Sequence, residues 1–170
     1  SSRFGSGRSV RRIEDDKLLQ GLGQFTDDIT GDSTYAEHVH ACFLRSPYPH
    51  ARIVSVDTAA ALAMPGVVAV YQGADLVAAG VKPIPGSSGF PRTGDAPGAT
   101  PPRHILAHER ARHVGEAVAV VLASTMEQAR DAAEAVVVDY DELPMLVTLA
   151  GAITAGAPVV CDEALDYTAA

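Results

Sequence analysis

Around residue 40 the chain alternates with a period of two: Val39, Ala41 and Phe43 point one way, and His38, His40 and Cys42 the other. That rhythm predicts a β-strand over 35–45. Ser46-Pro47-Tyr48-Pro49 ends it, because proline brings no N–H to a ladder. Ile53–Val56 predicts a second strand, Asp57 caps a short alanine-rich helix over 58–63, and Met64-Pro65-Gly66 stops that helix. Val67–Tyr71 predicts a third strand, and Asp75 and Leu76 begin a helical turn that ends near Gly80.

The pattern then lapses. Residues 80–104 hold six of the eleven prolines and five of the fifteen glycines. A loop of this length inside a compact domain is either functional or mobile, so ordering against a partner and simple mobility both stay open. Regularity returns at Val114. Val118–Ala123 is continuously apolar, as suits a strand covered on both faces. Ser124-Thr125-Met126-Glu127 reads as a capping box, with Ser124 accepting from the backbone of Glu127. It opens a helix to about Glu134 whose buried side is Met126, Ala129, Ala133 and Val136. Ala135–Tyr140 is a further strand, ended by Glu142-Leu143-Pro144. Strand, capped helix and strand over 114–141 form a βαβ-like pattern, right-handed if the strands run parallel. The expected fold class is α/β (α+β), a mixed sheet with packed helices. Residues 1–23 read as an extended arm and the tail over 150–170 as weakly structured.

Composition narrows the function more than the fold. Thirteen basic against twenty-one acidic residues give a formal charge of −8, which argues against a nucleic-acid surface and against binding to anionic membranes. No apolar run reaches the roughly 20 residues of a membrane span. The N-terminal residues carry no apolar core of a secretory signal. Cys42 and Cys161 lie far apart; a disulfide is open, but two such thiols fit a reduced, cytoplasmic protein better. Aromatics make up only 5 % and tryptophan is absent, so small and β-branched side chains build the core.

Candidate chemistry is sparse. His38, His40 and Cys42 share one strand face at chelating spacing, but a fourth ligand is missing nearby, and a strand cysteine is more often a small buried hydrophobe. His108 and His113 beside Glu109 and Glu116 form a polar cluster or, equally, exposed residues ahead of a strand. No Gly-x-Ser-x-Gly elbow is present; Gly86-Ser87-Ser88-Gly89 lies in the Pro/Gly loop with no following helix. Gly21-Leu22-Gly23 is not a dinucleotide fingerprint, and Gly5-Ser6-Gly7-Arg8 is a very weak phosphate signal. Asp139, Asp141 and Glu142 suggest a cation or acid–base site, or solvated residues at a turn.

Several segments, in order, carry a resemblance. Arg12–Asp28 combines a basic residue, an acidic stretch, a leucine, a Gly-x-Gly pair, an aromatic and an aspartate. Cys42–Ile53 contains Arg45-Ser46-Pro47 followed by His50-Ala51-Arg52-Ile53, and Ala63–Val70 contains Pro65-Gly66-Val67. Val114-Gly115-Glu116-Ala117-Val118-Ala119 and the ending Tyr140-Asp141-Glu142-Leu143-Pro144 complete the set. Together they cover roughly residues 10–150 and resemble the large subunit of the xanthine dehydrogenase, aldehyde oxidase and carbon-monoxide dehydrogenase family. The resemblance implies an a/b hammerhead domain over 24–150, after the arm 1–23 and before a tail or linker 151–170. It implies a large subunit that holds a molybdenum–pterin cofactor and oxidises an aldehyde, carbon monoxide, a purine or an N-heterocycle. Its implied partners are downstream molybdopterin-binding domains of the same chain and FAD-binding and [2Fe-2S] subunits, in the cytoplasm. The family's catalytic glutamate and cofactor motifs have no matching position here. No catalytic, cofactor-binding or metal residue is therefore assigned, and this stretch alone is expected to be inactive. The rival readings are a stand-alone binding or assembly module and a small hydrolase.

Overall fold

The computed structural model describes residues 12–26, 38–86 and 101–161. Within it, residues 1–38 and 39–170 are separate compact units. Gly5–Arg8, residues 87–89, the middle of the Pro/Gly loop and the end of the tail lie outside the described residues.

The first unit contains helix α1, Asp15–Leu19, where the sequence suggests an extended arm. Asp15 accepts from the Arg12 backbone N–H at 3.2 Å, and Leu22 N–H closes the helix end on the Lys17 carbonyl at 2.8 Å. Local capping of this kind makes a turn of helix without a buried face; none of its residues is buried.

The second unit carries strands β1 His40–Arg45, β2 Ala51–Asp57, β3 Val67–Gln72, β4 Arg110–Ala111, β5 Ala117–Ala123 and β6 Val137–Glu142. Its helices are α2 Ala59–Leu62, α3 Gly73–Ala78, α4 Met126–Glu134 and α5 Leu149–Ala152. The α/β class holds. The single mixed sheet does not: among the described residues there are two three-stranded sheets, ordered β1-β5-β3 and β4-β2-β6, and every pairing within them is antiparallel. The βαβ-like run fails for the same reason, because helix α4 carries the chain from β5 in one sheet to β6 in the other. The local pattern sets strand, helix and strand but not which sheet receives the second strand.

Both sheets share one core. Cys42, Leu44, Val70 and Val121 from the first meet Val56 and Val138 from the second, with Ala132, Ala133 and Val136 between them. Helix α4 buries Ala129 and Ala133, as its spacing predicts, and Ala132 beside them, while Met126 is only half-buried; small alanines let its backbone lie close. Its cap sits one residue later than expected. Thr125 accepts from Gln128 N–H at 3.2 Å, whereas Ser124 points its hydroxyl to the Gly66 carbonyl at 3.4 Å. Asp57 caps the α2 segment as predicted, accepting from Ala59 N–H at 2.9 Å.

Two glycines are required by geometry. A Cβ at Gly73 would collide with the Ala107 carbonyl, so α3 begins in contact with the chain before β4. Gly80 takes φ +76° and ends α3, with Val81 N–H on the Leu76 carbonyl at 2.9 Å. The Pro/Gly loop is tied at its base by an antiparallel bridge between Ile84 and Arg103. Cys42 and Cys161 are both free thiols. No described helix is long and apolar enough to cross a membrane.

Candidate functional site

Three segments far apart in sequence, 45–50, 114–116 and 140–144, converge on one corner of the second unit. Ser46 is 2 % exposed and holds both neighbouring segments. Its N–H donates to the Glu116 carbonyl and its carbonyl accepts from Gly115 N–H, each at 2.8 Å. Its hydroxyl exchanges hydrogen bonds with the Tyr48 backbone at 3.1 Å. The Tyr48 and Tyr140 rings lie 5.1 Å apart at a tilt of 55°, a favourable aromatic geometry. Burial raises the Tyr140 pKa, with a hydrogen bond to Ser46 acting the other way.

His50, 4 % exposed, completes the corner. Its Nδ1 lies 2.7 Å from the Pro144 carbonyl, which only accepts, so Nδ1 carries the proton. Nε2 is buried without a hydrogen-bond partner among the described residues. The His50 carbonyl accepts from Leu143 N–H at 3.0 Å, so strand β2 begins where the chain leaves β6. Arg45 donates to the Gly115 carbonyl at 2.8 Å, and its guanidinium stands 5.8 Å from the Phe43 ring. Sequence reasoning took Ser46–Pro49 as a strand breaker and as part of the family resemblance, without assigning Ser46 or His50 a structural role. The missed signal is a pair of polar residues, Ser46 and His50, at the two ends of a proline-rich turn.

A second grouping lines a polar cleft of about 410 Å³: Arg52, His104, His108, Glu109, Arg110 and Arg112. Glu109 has φ +62°, and Arg110 N–H reaches back to the His108 carbonyl at 2.7 Å, a γ-turn of the rare positive-φ kind. The turn aims the Glu109 carbonyl at Ile53 N–H, 2.8 Å away, and so extends the short β4 ladder along β2. His108 Nδ1 stands 4.0 Å from Glu109 Oε1, and Arg52 4.0 Å from Asp141. Arginine stays charged and donates only, so the arginines of this cleft take no part in proton transfer.

The other candidates do not assemble. His40 and Cys42 share the inward side of β1, half-buried, and Cys42 packs on the core. His108 and Glu109 belong to the cleft, whereas Glu116 accepts from Arg112 N–H at 2.6 Å and His113 donates to the Val114 carbonyl at 3.0 Å. Asp139 and Asp141 lie on the solvent side of β6. Among the described residues no three His, Cys, Asp or Glu side chains gather to hold a metal ion. The described residues offer no set fitted to a molybdenum–pterin group: the corner's polar groups bond mainly to this chain's own backbone, and the cleft's His104, His108 and Glu109 do not gather as a metal-holding set.

The family of the aldehyde oxidase and xanthine dehydrogenase a/b hammerhead domain matches residues 20–144, and the chain belongs to that family. It is 36 % identical over 162 residues to the nicotine 6-hydroxylase large subunit of Paenarthrobacter nicotinovorans, covering 94 % of this chain and 18 % of that subunit. Quinoline 2-oxidoreductase from Pseudomonas putida 86 superposes with a TM-score of 0.72 at 40 % identity, over 89 % of this chain and 18 % of the other. A Cu,Mo carbon monoxide dehydrogenase superposes with a TM-score of 0.71 at 34 % identity, over 89 % and 17 %. The chain thus spans less than a fifth of the length of these relatives. The corner residues 45–50, 114–116 and 140–144 all fall inside the family match.

Proposed function

We propose that this chain is the N-terminal scaffold domain of the large subunit of a molybdopterin-dependent hydroxylase or dehydrogenase. The whole enzyme oxidises a small substrate of the class that includes aldehydes, carbon monoxide, purines and N-heterocycles. The catalytic and cofactor-binding residues are supplied by other parts of that subunit. FAD and [2Fe-2S] subunits accept the electrons, and the assembly works in the cytoplasm. The domain extends over residues 24–150, with 151–170 leading onward.

The observation that carries this reading is the corner. Three of the five segments that carry the family resemblance meet there, and their polar groups are spent largely on backbone hydrogen bonds within the domain: Ser46 to Gly115 and Glu116, His50 to Leu143 and Pro144. Such residues hold an architecture in place; none is poised to meet a substrate. Length supports the same conclusion, since this chain covers only 18 % of the nicotine 6-hydroxylase large subunit and 18 % of quinoline 2-oxidoreductase.

The test is purification of the native polypeptide that contains this sequence, with metal analysis and dye-linked oxidation assays on the four substrate classes. Stoichiometric molybdenum and reduction of the dye with one of them are expected. A molybdenum-free polypeptide of about this length would overturn the proposal and favour a stand-alone binding or assembly module.

A further inference from the structure

The sheet β1-β5-β3 has two unlike faces. Its inner face is the core. Its outer face is fixed by register, since residues paired across antiparallel strands share a side. Phe43 pairs with Val120 and Val120 with Tyr71, and Ala41 pairs with Leu122 and Leu122 with Ala69. These two rows carry no charge. Phe43 is 45 % exposed and Tyr71 43 % exposed. Arg45 stands at the margin, its guanidinium beside the Phe43 ring, as a polar rim. The other sheet turns Arg52, Asp57, Asp139 and Asp141 to solvent, interspersed with the exposed Val54 and Val137. The fold therefore has charges to place on a solvent face and places none in these rows.

We propose that this outer face, centred on Phe43, Val120 and Tyr71, is the docking surface for the downstream part of the same large-subunit polypeptide. The inference rests on the function proposed above. Two arguments select this occupant over a second copy or a separate subunit. The first is size. Strands about 4.8 Å apart and residues about 7 Å apart along one strand face make the two rows a patch of roughly 200 Å², against about 800 Å² per partner in a stable interface between separate chains. A tethered segment needs far less area, because linkage raises its effective concentration. The second is length. This chain matches relatives over nine-tenths of itself but under a fifth of theirs, so more than four-fifths of such a polypeptide surrounds a domain of this kind.

The experiment uses the full-length large subunit in its native assembly. Hydroxyl-radical footprinting reads side-chain access at Phe43 and Tyr71, with Val137, 64 % exposed on the charged sheet, as reference. Phe43→p-benzoylphenylalanine, photolysed in the same assembly, identifies the neighbour. Severalfold protection of Phe43 and Tyr71 relative to Val137 is expected, together with a cross-link to a peptide of the same polypeptide beyond residue 170. Unprotected side chains overturn the proposal, as does a cross-link to another subunit or to a second copy. If the benzoylphenylalanine variant fails to fold, footprinting of the unaltered protein still decides whether the face is covered. Metal analysis of the same sample separates the two claims. A covered face in a long polypeptide without molybdenum keeps the docking surface and removes the enzymatic reading; an open face in a molybdenum enzyme does the reverse.

Discussion

The outward faces of the two sheets make an instructive pair. Both belong to three-stranded antiparallel sheets, and both sheets turn their other side to one common core. On β2 and β6 the outward residues include Arg52, Asp57, Asp139 and Asp141, with the exposed Val54 and Val137 among them, and Arg52 and Asp141 sit opposite one another. On β1, β5 and β3 the rows of Ala41, Leu122 and Ala69 and of Phe43, Val120 and Tyr71 are uncharged, with Arg45 at their margin. One face is finished for water. The other has the composition of half an interior, while Val118 of the same central strand is fully buried and Val120 is partly open. Two sheets of one fold class thus carry different roles, and the difference lies in side chains alone.

Substitutions test that contrast in descending order of effect. Val121 and Val120 are neighbours on β5 that point to opposite sides. Val121→Asp places an unpaired charge in the core and costs about 4 kcal/mol or more, so loss of the urea unfolding transition is expected. An ordinary cooperative transition in that variant would place the core elsewhere. His50→Ala removes a buried ring and its bond to Pro144, for roughly 2 kcal/mol by chemical denaturation; an unchanged midpoint would mean that the corner is not holding β2 to the end of β6. Tyr140→Phe costs about 1 kcal/mol through its hydrogen bond to Ser46.

Tyr140 also gives a pH signature. Its pKa is raised in the folded chain, so above the ordinary tyrosine range the unfolded chain holds fewer protons than the folded one. Stability is full below about pH 10 and falls as pH rises through the folded pKa. Denaturation midpoints of Tyr140→Phe should lose that alkaline decline, and persistence of the full decline would assign it to other tyrosines.

Val120→Asp is expected to cost about 1 kcal/mol or less in the 170-residue chain and to improve its solubility, while impairing assembly of the full-length subunit. Light scattering and yield of assembled enzyme measure the two effects; impaired folding in both settings would erase the distinction between the faces. Arg52→Ala is the smallest change. Its partner Asp141 is 4.0 Å away and both side chains are more than half exposed, so a shift under about 0.5 kcal/mol is expected in a salt-dependent unfolding series.

What could be read from the chain alone follows from local physics. Alternation marked β1, though from residue 35 rather than His40, and runs of β-forming residues marked β2, β3 and β6 to within a few residues, since both are properties of neighbouring positions. The spacing of Ala129 and Ala133 named the buried side of α4 before any partner was known. The ordered segments from Arg12 to Pro144 carried the family. Tertiary structure decided the rest. The apolar side of the β1 alternation, Ala41 and Phe43, turns outward, and Cys42 and Leu44 turn to the core, because α4 packs on that side. Periodicity distinguishes two faces but does not say which will find cover. Strand direction, the split into two sheets and the two-residue β4 depend on pairing partners tens of residues away. The corner of Ser46, Tyr48, His50, Gly115 and Tyr140 exists only once those pairings form, because each segment leaves polar groups that only the others can satisfy.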